Sequence, residues 1–231
     1  AGASAMMNVL TGKVCPSGKL NETYPLHYED TPAYEYYPSK ERSSEYREGL
    51  YVGYRYYTTV GKKVRFPFGF GLSYTTFTYR DLTVDPEGVK FKIQNTGTVA
   101  GTEIAQLYVG KESDSVFRPL RELKGFARVE LAPGEEKEVK ILFDDKTFRF
   151  YDTRTDSWEV ETGTYQIMIG SNAEEMLLEG SLAVNGTVTE GGYSREELPE
   201  YFSGEIKNIS DDTFRRLYEE GKVREEKEHA L

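Results

Sequence analysis

The sequence predicts a mainly β protein built around an antiparallel β-sandwich. Three observations carry this expectation. Short runs after residue 76 alternate apolar and polar side chains with period two, the mark of a half-buried strand. Turn signals separate the runs at regular intervals. No helical pattern lies between them, so successive strands pair directly and not through crossover helices.

Taken in order, AGASAMMNVLTGK places Ala5, Met6, Val9 and Leu10 on one helical face, and Gly12 is a helix stop. An isolated helix this short is marginal in water, so its apolar face needs something to pack against. VCPSGKL turns on Pro16, Ser17 and Gly18. From 21 to 60 the chain is rich in tyrosine, and Pro25, Pro32 and Pro38 forbid a long helix. Gly49 to Val60, GLYVGYRYYTTV, is the one strand-like run there, by its Val, Tyr and Thr content.

The alternation then becomes strict. Val89, Phe91 and Ile93 share one face of VKFKIQN; Ala105, Leu107 and Val109 share one face of EIAQLYVG. Val139, Ile141 and Phe143 point inward from EKEVKILF, as do Tyr165, Ile167 and Ile169 from TYQIMIG. Weaker strands fit 77–84, 123–131, 148–151 paired with 158–160, and 176–184. DPEG, NTG, APGEE and Gly163 supply turns. After the strands, Ser194 and Glu197 have capping-box spacing. Ser210 precedes an acidic first turn, with Phe214, Leu217 and Tyr218 on one helical face and Gly221 as a stop. KVREEKEHAL is charged and reads as frayed.

Composition excludes several function classes. Net charge is -10, which argues against nucleic-acid or anionic-membrane partners, because phosphate binding needs clustered Lys and Arg. No apolar run approaches the ~20 residues that span a bilayer. Cys15 is the one cysteine, so the fold does not depend on a disulfide. With no secretion signal visible, a reducing, cytoplasmic compartment is favoured. The chain opens on Ala1 and not Met, which reads as a piece of something longer.

The candidate chemistry is thin. Asp144–Asp145 follows a strand, Asp211–Asp212 opens a helix and Glu135–Glu136 sits in a Pro-Gly turn; turn and cap roles outweigh catalytic ones. His27 and His229 lack metal-ligand spacing, and one cysteine builds no thiolate site. A Cys15–His27 dyad has nothing near Cys15 to activate the thiol. FGFGLSY has Tyr74 where a dinucleotide loop needs its third glycine. No catalytic, metal or cofactor-binding residue is assigned, and no cofactor is expected.

One stretch is more specific. FPFGFGLSYTTF closely resembles a signature of glycoside hydrolase family 3, the family of many β-glucosidases and β-xylosidases. GASAMMNVLTGKVCPSGKL and YREGLYVGYRYY resemble two more runs of that family. NTGTVAGTEIAQLYVG, RPLRELKGFARVELAPGEEKEV and WEVETGTYQIMIGSN resemble the fibronectin type III-like domain that follows in many members. The runs keep the family's order and cover about residues 1–185.

The resemblance implies a division. Residues 1–75 would be the incomplete C-terminal part of an α/β-sandwich domain. Residues 76–186 would be the fibronectin type III-like, immunoglobulin-like sandwich. Residues 187–231 would be a linker and short helical tail, leading in members of rearranged order to a barrel. Phe66, Phe68, Phe70 and Tyr74 would be glue between the first two. Family members are retaining hydrolases: an aspartate on a (β/α) barrel forms a glycosyl-enzyme, and a glutamate of the α/β-sandwich domain is acid/base. No residue here matches either motif. The implied function is therefore a scaffolding fragment of a retaining, exo-acting β-glucosidase-like hydrolase, inactive alone. Its partners would be carbohydrate, through the parent enzyme, and the absent barrel and α/β-sandwich parts. The alternative is a stand-alone carbohydrate-binding or structural module using Tyr34, Tyr36, Tyr37 and Trp158. Residues 1–65 should be poorly ordered or expose apolar surface if their domain is incomplete.

Overall fold

Period-two patterning becomes two packed sheets in the computed structural model of the protein, which describes residues 2–38, 44–153, 155–187 and 193–217. The chain begins with α1 (Gly2–Leu10), followed by the two-residue β1 (Tyr24–Pro25), α2 (Tyr54–Thr59) and β2 (Val64–Phe66), which pairs with β1. The strands of the sandwich follow: β3 (Phe77–Asp85), β4 (Gly88–Asn95), β5 (Gly101–Gly110), β6 (Glu122–Leu131) and β7 (Glu136–Leu142). Then come β8 (Arg149–Asp152), β9 (Ser157–Val160), β10 (Gly163–Gly170) and β11 (Met176–Val184), and after them α3 (Pro199–Ser203). Residues 211–217 are helical.

One sheet has the order β11-β10-β5-β6 and the other β3-β4-β7, every pairing antiparallel; β8 and β9 form a separate hairpin. In the register, Phe91 lies opposite Val139 and Val89 opposite Ile141. Across the other sheet Ile167 faces Val109, and Ile169 faces Leu107. These residues, with Ile93, Ala105 and Tyr165, are buried between the sheets, as the alternation requires. Phe143 lies one residue past β7 and is partly buried, edge-to-face with Phe148 at 5.0 Å.

Part of the outer face of the four-stranded sheet, along β5 and β10, is covered as well. Gln106, Tyr108 and Met168 are buried there, on the side opposite the core. A sheet wetted on one face would carry polar groups at these positions. Their sequence neighbours Leu107, Val109, Ile167 and Ile169 face the other way, so β5 and β10 carry apolar residues in succession. What covers that outer face is the N-terminal part.

α2 corrects the expectation of a strand over 49–60. Gly53, at φ 58°, opens the helix from a conformation that favours glycine. The rings of Tyr56 and Tyr57 meet edge-to-face at 5.2 Å and are buried in a second apolar cluster. Thr58 and Thr59 return their hydroxyls to the carbonyls of Tyr54 and Arg55, at 2.7 and 2.6 Å. β-propensity is a weak preference, and burial of Tyr56 and Tyr57 together with packing of Tyr54 on Tyr108 outweighs it.

α1 forms over the expected residues, and Gly12 turns the chain with φ 74°. No residue of α1 is buried: Met6, Met7 and Leu10 expose 64%, 55% and 75% of their surface. The tail caps form where the spacing places them. Ser194 and Glu197 exchange backbone donors for side-chain oxygens, each at 3.1 Å, and the Ser210 hydroxyl accepts the Thr213 amide at 3.1 Å. Tyr218, Gly221, KVREEKEHAL and His229 lie outside the described residues.

Candidate functional site

The aromatic stretch 66–77 lies between the N-terminal part and the sandwich, and its backbone is tied to both. The Gly69 amide donates to the Leu20 carbonyl and the Leu20 amide to the Phe70 carbonyl, both at 2.8 Å. On the sandwich side, the Ala173 amide donates to the Phe68 carbonyl at 2.9 Å. The Phe68 ring packs on Tyr54 at 4.9 Å, and Tyr54 meets Tyr108 of β5 edge-to-face at 5.8 Å. Tyr54 also accepts the Leu123 amide at 2.7 Å on its hydroxyl. Tyr54 is therefore the ring that meets the sandwich, with Phe68 packed on it and tied across by its carbonyl.

Gln106 is the polar centre of this contact. Its amide nitrogen donates to the carbonyls of Ser171 and Gly69, at 2.8 and 3.3 Å. Its carbonyl oxygen accepts the Tyr108 hydroxyl at 2.6 Å. Every group of a buried amide is thus used, which such a position demands. The fit leaves no room at Gly69: its φ is 80°, and an added Cβ would stand 2.3 Å from the Gln106 oxygen. Gly69→Ala should therefore cost about 2 kcal/mol, from backbone strain and displacement of a fixed amide. Urea unfolding checks this; an unchanged midpoint would show that Gln106 yields freely.

A charge pair crosses the same junction. Lys19 Nζ lies 3.1 Å from Glu103 Oε1, and the Tyr79 hydroxyl donates to that oxygen at 3.1 Å. Glu103 is only 6% exposed. Burial, then the charge of Glu103, pushes the Tyr79 phenol well above its ordinary value, so it acts as a hydroxyl donor. Nearby, Thr75 donates to Asn95 Oδ1 at 2.5 Å, and Asn95 Nδ2 donates to the Leu131 and Val99 carbonyls at 3.1 and 2.8 Å.

Not all of the expected glue bridges. Phe66 packs on Phe70 at 5.0 Å and on Tyr24 at 6.4 Å, within the N-terminal part, and stays 37% exposed. Tyr74 is half exposed; its hydroxyl donates to the Val9 carbonyl of α1 at 2.8 Å.

The tail makes a third contact. Tyr51, Tyr56 and Tyr57 of the N-terminal part enclose Leu198, Tyr201, Ile206 and Ile209 of the tail, with Phe117 of the β5–β6 loop packed against them. Arg47 lies within 5.1 Å of the Tyr36 ring centre and 5.0 Å of that of Phe214, and pairs with Asp211 at 2.7 Å. None of this tail docking was readable from the sequence.

The carboxylate pairs take local roles. Asp144 accepts the Lys146 amide at 2.9 Å and the Thr147 hydroxyl at 3.0 Å; Asp145 pairs with Arg149 at 2.7 Å. Glu135 accepts the Ala132 amide at 2.7 Å, and Glu136 pairs with Arg80. Cys15 contacts the Ser73 hydroxyl at 3.3 Å, whereas the backbone of His27 bonds Asp30 at 3.1 Å; the dyad has no shared contact. Of the candidate sugar-facing aromatics, Tyr34 meets Tyr28 at 5.2 Å and Tyr36 donates to the Lys207 carbonyl at 3.3 Å. Tyr37 and Trp158 are 70% and 56% exposed, and the Arg149 guanidinium lies 4.2 Å from the Trp158 ring centre.

Comparison with known proteins places this geometry. Residues 1–74 match the glycosyl hydrolase family 3 C-terminal domain, and residues 103–173 match the fibronectin type III-like domain. Thermostable beta-glucosidase B of Acetivibrio thermocellus is 46% identical over 192 residues, 80% of this chain and 25% of the relative. An exo-alpha-(1->6)-L-arabinopyranosidase of Bifidobacterium breve is 39% identical over 191 residues, 80% of this chain and 25% of that protein. Among solved structures, the family 3 beta-glucosidase of Bifidobacterium adolescentis superposes with TM-score 0.78 at 33% identity, covering 90% of this chain and 32% of that one. The beta-glucosidase of Kluyveromyces marxianus in complex with glucose gives TM-score 0.74 at 37% identity, over 79% of this chain and 23% of that one. The chain thus spans about a quarter of the length of the curated relatives it matches. With its C-terminal-domain sequence joined through the aromatic stretch to a fibronectin type III-like sandwich, the chain belongs to glycoside hydrolase family 3.

Proposed function

We propose that these 231 residues are the scaffolding portion of a retaining, exo-acting β-glucosidase-like hydrolase, and that they do no chemistry by themselves. The supporting observation is the junction: Tyr54 on Tyr108, the Phe68 carbonyl, Gln106 and the Lys19–Glu103 pair fix the N-terminal part on the sandwich. In this reading the division falls at residues 75 and 186. The nucleophile and acid/base carboxylates of a retaining mechanism lie in polypeptide outside this sequence. The exposed apolar side chains of α1, Met6, Met7 and Leu10, are where the rest of the α/β-sandwich domain packs. The tail leads on towards a barrel, and carbohydrate is met through the assembled enzyme.

The test is hydrolysis of p-nitrophenyl β-D-glucoside. The isolated chain should release no nitrophenol above buffer. A longer polypeptide that adds the barrel and the remaining α/β-sandwich should hydrolyse it with retention of anomeric configuration. Turnover by the repurified chain alone would refute the scaffold reading. So would tight binding of a cello-oligosaccharide that is lost in Trp158→Ala, which would favour a binding module instead.

A further inference from the structure

A cavity of about 460 Å3 opens between the end of α2, the residues leading into β2 and the residue before β6. Tyr57, Thr58, Lys62, Lys63, Arg121 and Glu174 line it. Its volume is in the range of small-molecule sites.

Arg121 is the feature that needs explaining. Its Nε and Nη1 are sealed from solvent and have no hydrogen-bond partner among the described residues. A guanidinium does not escape such a position by losing its proton. Burial disfavours its charge, and Tyr108, Glu179 and Glu174 offset this only in part. A buried charge without a close counter-ion is costly; an anion in the adjoining space would offset it, meeting the guanidinium at Nη2, since Nε and Nη1 are sealed away from that space. Lys62 is already held, 2.8 Å from Asp30, whereas Lys63 is exposed. Among these six residues Glu174 is the one acid; burial pushes its carboxyl up, and its charge is the one in the lining that an incoming anion would have to oppose.

We propose that this cavity binds a small free oxyanion, a phosphate or a carboxylate, with Arg121 as the principal contact and Lys63 at the edge. The site would be cationic in a chain of net charge -10, so it selects anions against the overall field. Nothing in this proposal depends on glycoside chemistry.

Isothermal titration calorimetry of the 231-residue chain with inorganic phosphate tests it, at fixed ionic strength with chloride as control. Saturable binding at one site is expected. Arg121→Gln should weaken it roughly tenfold or more, since it removes a charge-assisted contact. Glu174→Gln should tighten it, and Lys63→Gln should weaken it modestly. Equal heats from phosphate and chloride would overturn the proposal, as would unchanged affinity in Arg121→Gln. If Arg121→Gln does not fold, the other two variants decide, because the proposal requires shifts of opposite sign. No shift in either refutes it.

Discussion

Glu103→Ala should destabilise the chain by about 3 kcal/mol, the low end of what breaking a buried ion pair costs. Two groups lose their partner at once. Lys19, whose side chain is 16% exposed, keeps a charge it can only partly return to water. Tyr79 keeps a buried hydroxyl with no acceptor. Glu103→Gln retains an oxygen for both donors and should cost less, about 1–2 kcal/mol. The pair itself need not be a net gain: replacing both partners by apolar groups is often close to neutral. Lys19→Met with Glu103→Leu and Tyr79→Phe, which removes every polar partner of the pair, should therefore recover most of the loss. Equilibrium unfolding in urea, followed by tyrosine fluorescence and by far-UV dichroism, measures all three. A loss below about 1 kcal/mol for Glu103→Ala would show that water reaches the pair and that the junction is looser than its geometry suggests.

The sandwich was legible because its strands obey one physical rule. Val89, Phe91 and Ile93 alternate with Lys90, Lys92 and Gln94, and a sheet with one wet face leaves no other way to bury them. β5 and β10 carried a second message. Leu107-Tyr108-Val109 and Ile167-Met168-Ile169 are unbroken apolar runs, and an unbroken run in a strand means both faces are covered. That signal was available and pointed to the junction. Gln106, in the middle of β5, could not be placed by pattern: a polar residue there suits either a wet face or a buried amide satisfied by distant carbonyls.

The rest was hidden for reasons of range. α2 reads as a strand because Val, Tyr and Thr prefer strands locally, and its helix is decided by what Tyr54, Tyr56 and Tyr57 touch. The Arg121 cavity unites residues from 57 to 174, and no sequence window spans them. The tail caps were legible, since Ser194–Glu197 and Ser210 act within one turn, but its docking on Tyr51 was not.

Tyr201→Ala should release the tail, at a cost of about 3–5 kcal/mol in docking free energy, the range for deleting a buried aromatic side chain. Tyr201 is 2% exposed and touches all three parts. Its ring packs on Phe117 of the sandwich at 5.4 Å. Its hydroxyl donates to the Arg47 carbonyl at 2.9 Å, and its own carbonyl accepts the Tyr51 hydroxyl. Gly204 closes α3 with φ 78°, against Thr59 of α2. The sandwich core lies elsewhere, so hydrogen exchange should rise across 194–217 and around Tyr56 while β4, β5 and β10 stay protected. Tyr201→Phe removes only the hydroxyl and should cost about 1 kcal/mol. Alkali should act on the same contact. Burial raises the phenols of Tyr57 and Tyr201 to about 12, above the ordinary value of 10.0. Their docked and released forms are both neutral below pH 10, so they add no pH dependence there. From pH 10 to 12 the released phenols ionise first, and docking weakens as pH rises. Uniform loss of protection in Tyr201→Ala, sandwich included, would show that the tail is part of one cooperative unit and not a separate clasp.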